Sequence, residues 1–190
     1  MGTIKKQTKG GNIYQLKITL RGSKPPIWRR IQVRSNTTLA KLHDVFQIVM
    51  GWNNSHLHQF IIHEVEYGIP EPGYDMDLED EKRVRLGELI FAEKEKFIYE
   101  YDFGDSWEHE ILVEKIVPIE KGVRYPICLK GKRACPPEDC GGIWGYSEFL
   151  EAIEDVNHPE HDDMLEWIGG EFYPEEFDVN SINKRLKYIK

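Results

Sequence analysis

The chain is short of cysteine, of long apolar runs and of positive charge, and each shortage removes a class of protein. Three cysteines among 190 residues are too few, and odd in number, for a disulfide scaffold, which points to a reducing cytoplasm. No apolar stretch reaches the roughly 18 residues of a membrane span. The opening Met1-Gly2-Thr3-Ile4-Lys5-Lys6-Gln7 lacks an apolar signal core. A soluble, cytoplasmic protein without a membrane partner is expected. Lys and Arg number 25 against 33 Asp and Glu, a net charge of -8. That balance opposes nucleic-acid binding over a broad surface, which needs a basic face to neutralise phosphates, but leaves room for a local basic patch. P-loop, Gly-rich dinucleotide turn and Ser or Cys nucleophile motifs are also missing, so no reaction can be named from sequence.

What is present reads as one α+β domain. Residues 1–12 are polar and Gly-rich, a tail. Residues 13–190 form a single domain, with a sheet part over 13–140 and a helical part over 141–190 docked on it. Tyr14, Leu16, Ile18 and Leu20 alternate with polar residues as a half-buried strand, and a Pro-Pro turn leads into a second strand over residues 28–33. Thr38 suits an N-cap, Leu39, Leu42, Val45, Phe46, Val49 and Met50 follow helical spacing, and Gly51 suits the stop. Residues 56–65 read as a strand, 71–82 as an acidic mobile loop, and 84–92 as a short helix. Periodicity fades after Pro118 and returns, helical, around Tyr146, Met164 and Val179. The fold class is therefore α+β, with a largely antiparallel or mixed sheet, a helix packed across it and a C-terminal helical segment.

Residues 98–113 carry the densest signal, an aromatic and acidic hairpin about Gly104-Asp105-Ser106. A loop of those three residues pairs Phe103 with Trp107, Tyr101 with His109 and Tyr99 with Ile111, keeping one face apolar. A two-residue Gly-Asp loop would mix carboxylates into that face. The first register gathers Glu100, Asp102, Glu108 and Glu110 on the other face, where directly opposed like charges cost roughly 0.2–1 kcal/mol per pair unless basic groups such as Lys17 or Arg30, or a cation, sit among them. Arg29 and Arg30 alternate to opposite faces and read mainly as partners for this acidic hairpin. Trp52, Trp107, Trp144 and Trp167 read as packing groups.

Ile13-Tyr14-Gln15-Leu16-Lys17, Pro26-Ile27-Trp28-Arg29-Arg30, Gly51-Trp52, His56-Leu57-His58-Gln59-Phe60, the 101–109 segment, Ala134-Cys135-Pro136-Pro137-Glu138-Asp139-Cys140-Gly141-Gly142 and Trp167-Ile168-Gly169-Gly170 together resemble the plasmid pRiA4b ORF-3-like family, over residues 13–186. The resemblance implies a shared fold and an association with plasmids and mobile elements, without an established activity. Some members were labelled resolvases, but an acidic chain without a basic helix-turn-helix pattern is poorly suited to cutting or rejoining DNA.

Two constellations could carry chemistry. Cys135 and Cys140 with His158 and His161 offer two thiolates and two imidazoles, a tetrahedral zinc set if they converge. Otherwise the cysteines are packed thiols or an occasional disulfide, His158 a cap and His161 a surface residue. His56, His58, Tyr101, Asp105, Trp107 and His109 would line a pocket if their strands adjoin, where imidazoles could act as acid or base. The alternative is a core His109 and strand-edge His56 and His58. These residues point to an interaction or ligand-binding module with an unidentified protein or small ligand as partner and no obligatory cofactor. The competing reading is a metal-dependent, hydrolase-like enzyme with a Cys/His or His/Asp site.

Overall fold

The computed structural model describes residues 11–70 and 78–189. The expected tail, apart from its last two residues, and the 71–77 part of the acidic loop lie outside the described residues. In chain order the elements are β1 (Asn12–Leu20), β2 (Trp28–Arg34), α1 (Leu39–Met50), β3 (His58–Ile62), β4 (Val65–Gly68), β5 (Glu79–Asp80), α2 (Leu86–Leu89), β6 (Lys96–Tyr101), β7 (Trp107–Pro118), β8 (Ile127–Lys132), α3 (Gly142–Glu154), α4 (His161–Ile168) and α5 (Val179–Leu186). The strands form one mixed sheet in the order β5-β4-β3-β6-β7-β1-β2-β8. Every pairing is antiparallel except the parallel β4–β5 edge.

Alternation along β1, β2, β6 and β7 sends Leu16, Ile18, Ile31, Val33, Tyr99 and Ile111 to one face, where they are buried. Helix α1 covers that face. Its Thr38 cap accepts a hydrogen bond from Lys41 N and it ends at Gly51 with φ 105°, a left-handed stop that glycine adopts without a Cβ clash. Phe46 of α1 meets Tyr99 edge-on at 5.0 Å and Phe60 at 6.0 Å.

The hairpin keeps the expected buried face but not the expected register. Tyr101 pairs with Trp107, Tyr99 with His109 and Phe97 with Ile111. The connection therefore spans residues 102–106 and leaves Phe103 37% exposed. Asp102 explains the slip: its Oδ1 accepts from Gly104 N at 2.9 Å, and its carbonyl accepts from Ser106 N at 2.6 Å. An aspartate that folds back on the backbone two residues ahead closes its own turn. A shift of two residues preserves which side chains face inward, so hydrophobic alternation cannot detect it.

The acidic outer face is compensated locally. Lys96 pairs with Glu110 at 3.0 Å, Arg21 with Glu108 at 2.7 Å, and Gln59 donates to Glu100 at 2.8 Å. Arg30 holds Glu114 through two hydrogen bonds of 2.6 and 2.7 Å, which keeps that carboxyl below its usual range. Arg29 does something else. It points inward, donates from Nε to Val49 O at 2.7 Å and from a terminal nitrogen to Lys132 O at 2.9 Å, and lies 4.8 Å from the Phe177 ring. At Val49 O the guanidinium supplies, to the negative C-terminal end of α1, the positive charge that its last turn lacks.

The expected strand over 56–65 is instead a tight hairpin, with His63 and Glu64 both at positive φ between β3 and β4. Glu79 and Asp80, expected in a loop, form the edge strand β5. Strand β8 occupies the region where periodicity faded, and α5 covers its outer edge. Asn183 donates to Cys128 O and accepts from Cys128 N, both at 2.8 Å, standing in for a missing strand neighbour. Leu186, Tyr146 and Phe149 join the core cluster. Trp144 does not: it is 83% exposed, against the packing role expected of it, and Trp167 is 47% exposed.

Candidate functional site

Three segments far apart in sequence meet at one end of the sheet: the 52–57 loop leaving α1, the 102–106 turn, and the 134–141 loop entering α3. Tyr101 ties them together. Its hydroxyl donates to Glu138 Oε1 at 2.8 Å and accepts from Ser55 N at 2.9 Å. Glu138 also accepts from Asn53 N at 2.9 Å and Ser55 Oγ at 3.1 Å. Partial burial works to raise the Glu138 pKa, but the donors Asn53, Tyr101 and Ser55 outweigh it and hold the carboxyl below its usual range. Burial and the bond to Glu138 raise the Tyr101 phenol in turn.

His56 stands beside this lattice, edge-on to the Tyr101 ring at 5.8 Å. Its Nδ1 lies 3.6 Å from Asp102 Oδ2 and its Nε2 3.2 Å from Asp139 Oδ1. The second contact has the distance of an ion pair without hydrogen-bond alignment, so Nε2 is buried and unpartnered. Asp105 braces the neighbouring loop by accepting from Gly141 N at 3.2 Å. The brace requires glycine at the start of α3: Gly142 has φ 68°, and a Cβ there would fall 2.5 Å from Asp105 O.

The six residues singled out from sequence divide. His56, Asp105 and the hydroxyl end of Tyr101 reach the loop cluster. Trp107 and His109 are fully buried, His58 nearly so. His109 Nδ1 lies 3.3 Å from Tyr99 O and its ring is edge-on to Trp52 at 5.2 Å. Burial pushes its pKa down to about 4. His58 stacks on His43 at 3.4 Å and contacts Glu81 at 2.8 Å. His43 bonds Tyr99 and Asn54, each at 2.8 Å. Burial, then the His58 charge, pushes the His43 pKa down to about 3.

Cys135, Cys140, His158 and His161 are not brought together. Among the described residues, the group of three or more His, Cys, Asp or Glu side chains with ligand atoms within 4.8 Å of one another is His56, Asp102 and Asp139. His161 Nδ1 lies 2.9 Å from Ala152 O, and His158 Nδ1 accepts from Glu160 N at 3.2 Å. Burial raises the Cys135 thiol and pushes Cys140 up to about 12.

Glu138 and Asp139 were missed as site residues, and Asp102 was named only within the acidic face of the hairpin. Asp102 had a signal, since an aspartate two residues before glycine favours a turn over a ladder position. For Glu138 and Asp139 nothing local was available. A groove of about 720 Å³ opens beside the cluster, between the end of α1, the 134–139 loop and the C-terminal helices.

A family model described as plasmid pRiA4b ORF-3-like protein matches residues 12–181. Uncharacterized protein y4hQ of Sinorhizobium fredii is 41% identical over 163 residues, 85% of this chain and 84% of that protein. The crystal structure of the protein of unknown function MM3350 from Methanosarcina mazei Go1 is similar with a TM-score of 0.82 and 42% identity, covering 90% of this chain and 97% of that one.

Proposed function

Because the chain belongs to the plasmid pRiA4b ORF-3-like family, which has no established activity, we propose from its geometry that it is a cytoplasmic binding module. Its groove takes a polypeptide segment carrying both basic and apolar side chains. The carrying observation is the composition of that groove. Met50, Trp52, Trp167, Phe172 and Phe177 supply apolar walls, while Glu138, Asp139, Glu176 and Asp178 line it with carboxylates against Arg185 and the inward-turned Arg29. An acidic rim repels phosphate backbones and attracts lysine and arginine. Apolar walls with a polar rim are the usual anatomy of a recognition surface. The thiol in its lining, Cys135, and the nearby Cys140 are held protonated by burial and are poor nucleophiles. All three cysteines are free, which suits a reducing compartment. Among the described residues no helix is long and apolar enough to cross a membrane.

The test is an NMR titration of the full chain, with chelator present, using a short peptide that alternates Lys and Leu and a counterpart that alternates Glu and Leu. The Lys peptide should shift the Trp167 and Trp52 indole signals and bind more weakly as salt rises. Equal responses to both peptides, or none to either, would overturn the reading.

A further inference from the structure

We infer that His56, Asp102 and Asp139 form a binding site for a divalent first-row transition ion, of the Mn2+ to Zn2+ series. The inference does not rest on the groove. Three segments deliver one imidazole and two carboxylates with ligand atoms within 4.8 Å of one another. Ligands at about 2.0–2.2 Å around a single ion lie about 3.0–3.5 Å from each other, close to the 3.2 Å between His56 Nε2 and Asp139 Oδ1; Asp102 Oδ2 lies 3.6 Å from the other ring nitrogen, Nδ1.

Proximity of acids alone would not carry this, because exposed carboxylates often cluster. Two further observations point to a missing partner. The Asp102 side chain is only 10% exposed. Its Oδ1 is pinned by Gly104 N and Asp105 N, while Oδ2 faces the imidazole and receives no hydrogen bond among the described residues. His56 Nε2 is buried without a hydrogen-bond partner. A buried polar atom left unpaired is costly, and a cation on Nε2 would satisfy it while drawing on the neighbouring carboxylates. Among the described residues, moreover, neither aspartate has a Lys or Arg ion-pair partner; His56 is their shared one.

The donor set selects the ion class. Mg2+ and Ca2+ favour all-oxygen shells, whereas an imidazole with two carboxylates suits Mn2+ through Zn2+. Only one ring nitrogen can bind, and the unpartnered Nε2 is that one. Asp139, already 3.2 Å from that nitrogen and 70% exposed on its loop, has the freedom to adjust around the ion toward Asp102. Glu138, anchored by Tyr101 and Ser55, fixes the base of that loop. Three protein ligands leave coordination positions open to water or to a ligand donor.

The experiment is calorimetric titration of the chelator-stripped full chain with Mn2+, Zn2+, Mg2+ and Ca2+, with elemental analysis for stoichiometry. One Mn2+ or Zn2+ per chain should bind, and Mn2+ should broaden the Gly104 amide signal. Since even outer-shell partners of a metal matter about 10–100-fold, Asp102→Asn and Asp139→Ala should each weaken binding about tenfold or more. Cys140→Ser should change nothing. Asp102→Asn keeps the Oδ1 acceptor that shapes the turn, and Asp139→Ala removes an exposed group with only a small strain from alanine at φ 59°, so neither loss can be ascribed to unfolding. Absence of transition-ion binding, binding that survives both aspartate substitutions, or binding lost with Cys140→Ser would each overturn the assignment. Peptide binding in the presence of chelator reports on the groove separately.

Discussion

Two histidines that stand two residues apart have opposite fates. His58 and Glu81 touch at 2.8 Å with each side chain 3% exposed, and His43 stacks on His58 inside a closed set of bonds to Tyr99, Gln47 and Asn54. His56 touches Asp102 and Asp139 at the surface, with contacts too long or too poorly aligned to count as hydrogen bonds. The sealed cluster spends its polar groups on one another, and what remains is rigidity. The open cluster keeps unspent acceptors, which is where a ligand can act. The teaching is that a histidine beside a carboxylate says little until burial and bond completion are known.

The largest effects should fall on the wall between the two clusters, where Trp107, Tyr101 and Trp52 pack with centroid separations of 4.9 Å for Trp52–Tyr101 and 6.0 Å for Trp52–Trp107. Trp107→Ala should destabilise the fold by about 3–5 kcal/mol, read from the shift in denaturation midpoint. An unchanged midpoint would mean that the ring is not packed as described.

Glu81→Ala should come close behind. It strands the buried His58 without its carboxylate, a loss of about 3–5 kcal/mol for a broken buried pair. If it costs no more than a surface change, the distinction between sealed and open clusters fails.

Acid should separate the clusters next. The folded-state pKa values of His43, about 3, and His109, about 4, lie below the ordinary 6.5. The unfolded chain therefore binds more protons, and stability falls as pH drops below about 6.5, down to the folded values. Near pH 5 each histidine should remove about 2 kcal/mol. Denaturant melts between pH 7 and 5 measure the slope, and a flat profile would contradict neutral, sealed imidazoles. Asp139→Ala should leave that slope as it is.

Smallest of all is Asp139→Ala itself on stability in the absence of metal, expected at about 1 kcal/mol, because the carboxylate is exposed but alanine is less at ease than aspartate at φ 59°. A large loss would move Asp139 from the open group to the sealed one.

Much of the architecture was legible. The alternation of residues 13–20, the caps Thr38 and Gly51, the inward face of the hairpin and the helical spacing after Gly142 are local patterns, and the structure follows them. Strand β8 was not legible, being a short edge whose outer side is closed by the Asn183 amide. The candidate site was half legible. His56, Tyr101 and Asp105 were singled out, but with His58, Trp107 and His109, which alternation and strand order carry into the core. Glu81 seemed part of an acidic loop until its partner, 23 residues away, came into view.

What the sequence alone determined is which side of each element is wet, because periods of 2 and 3.6 residues are set by backbone geometry and read directly from side-chain polarity. The tertiary structure alone decided which carboxylate meets which histidine. The strand order β3-β6-β7 sets the 52–57 loop beside the 102–106 turn, and the packing of α3 brings Asp139 to both. Contacts across such separations depend on the sum of core packing and on turn closure at Asp102, and neither leaves a periodic trace along the chain.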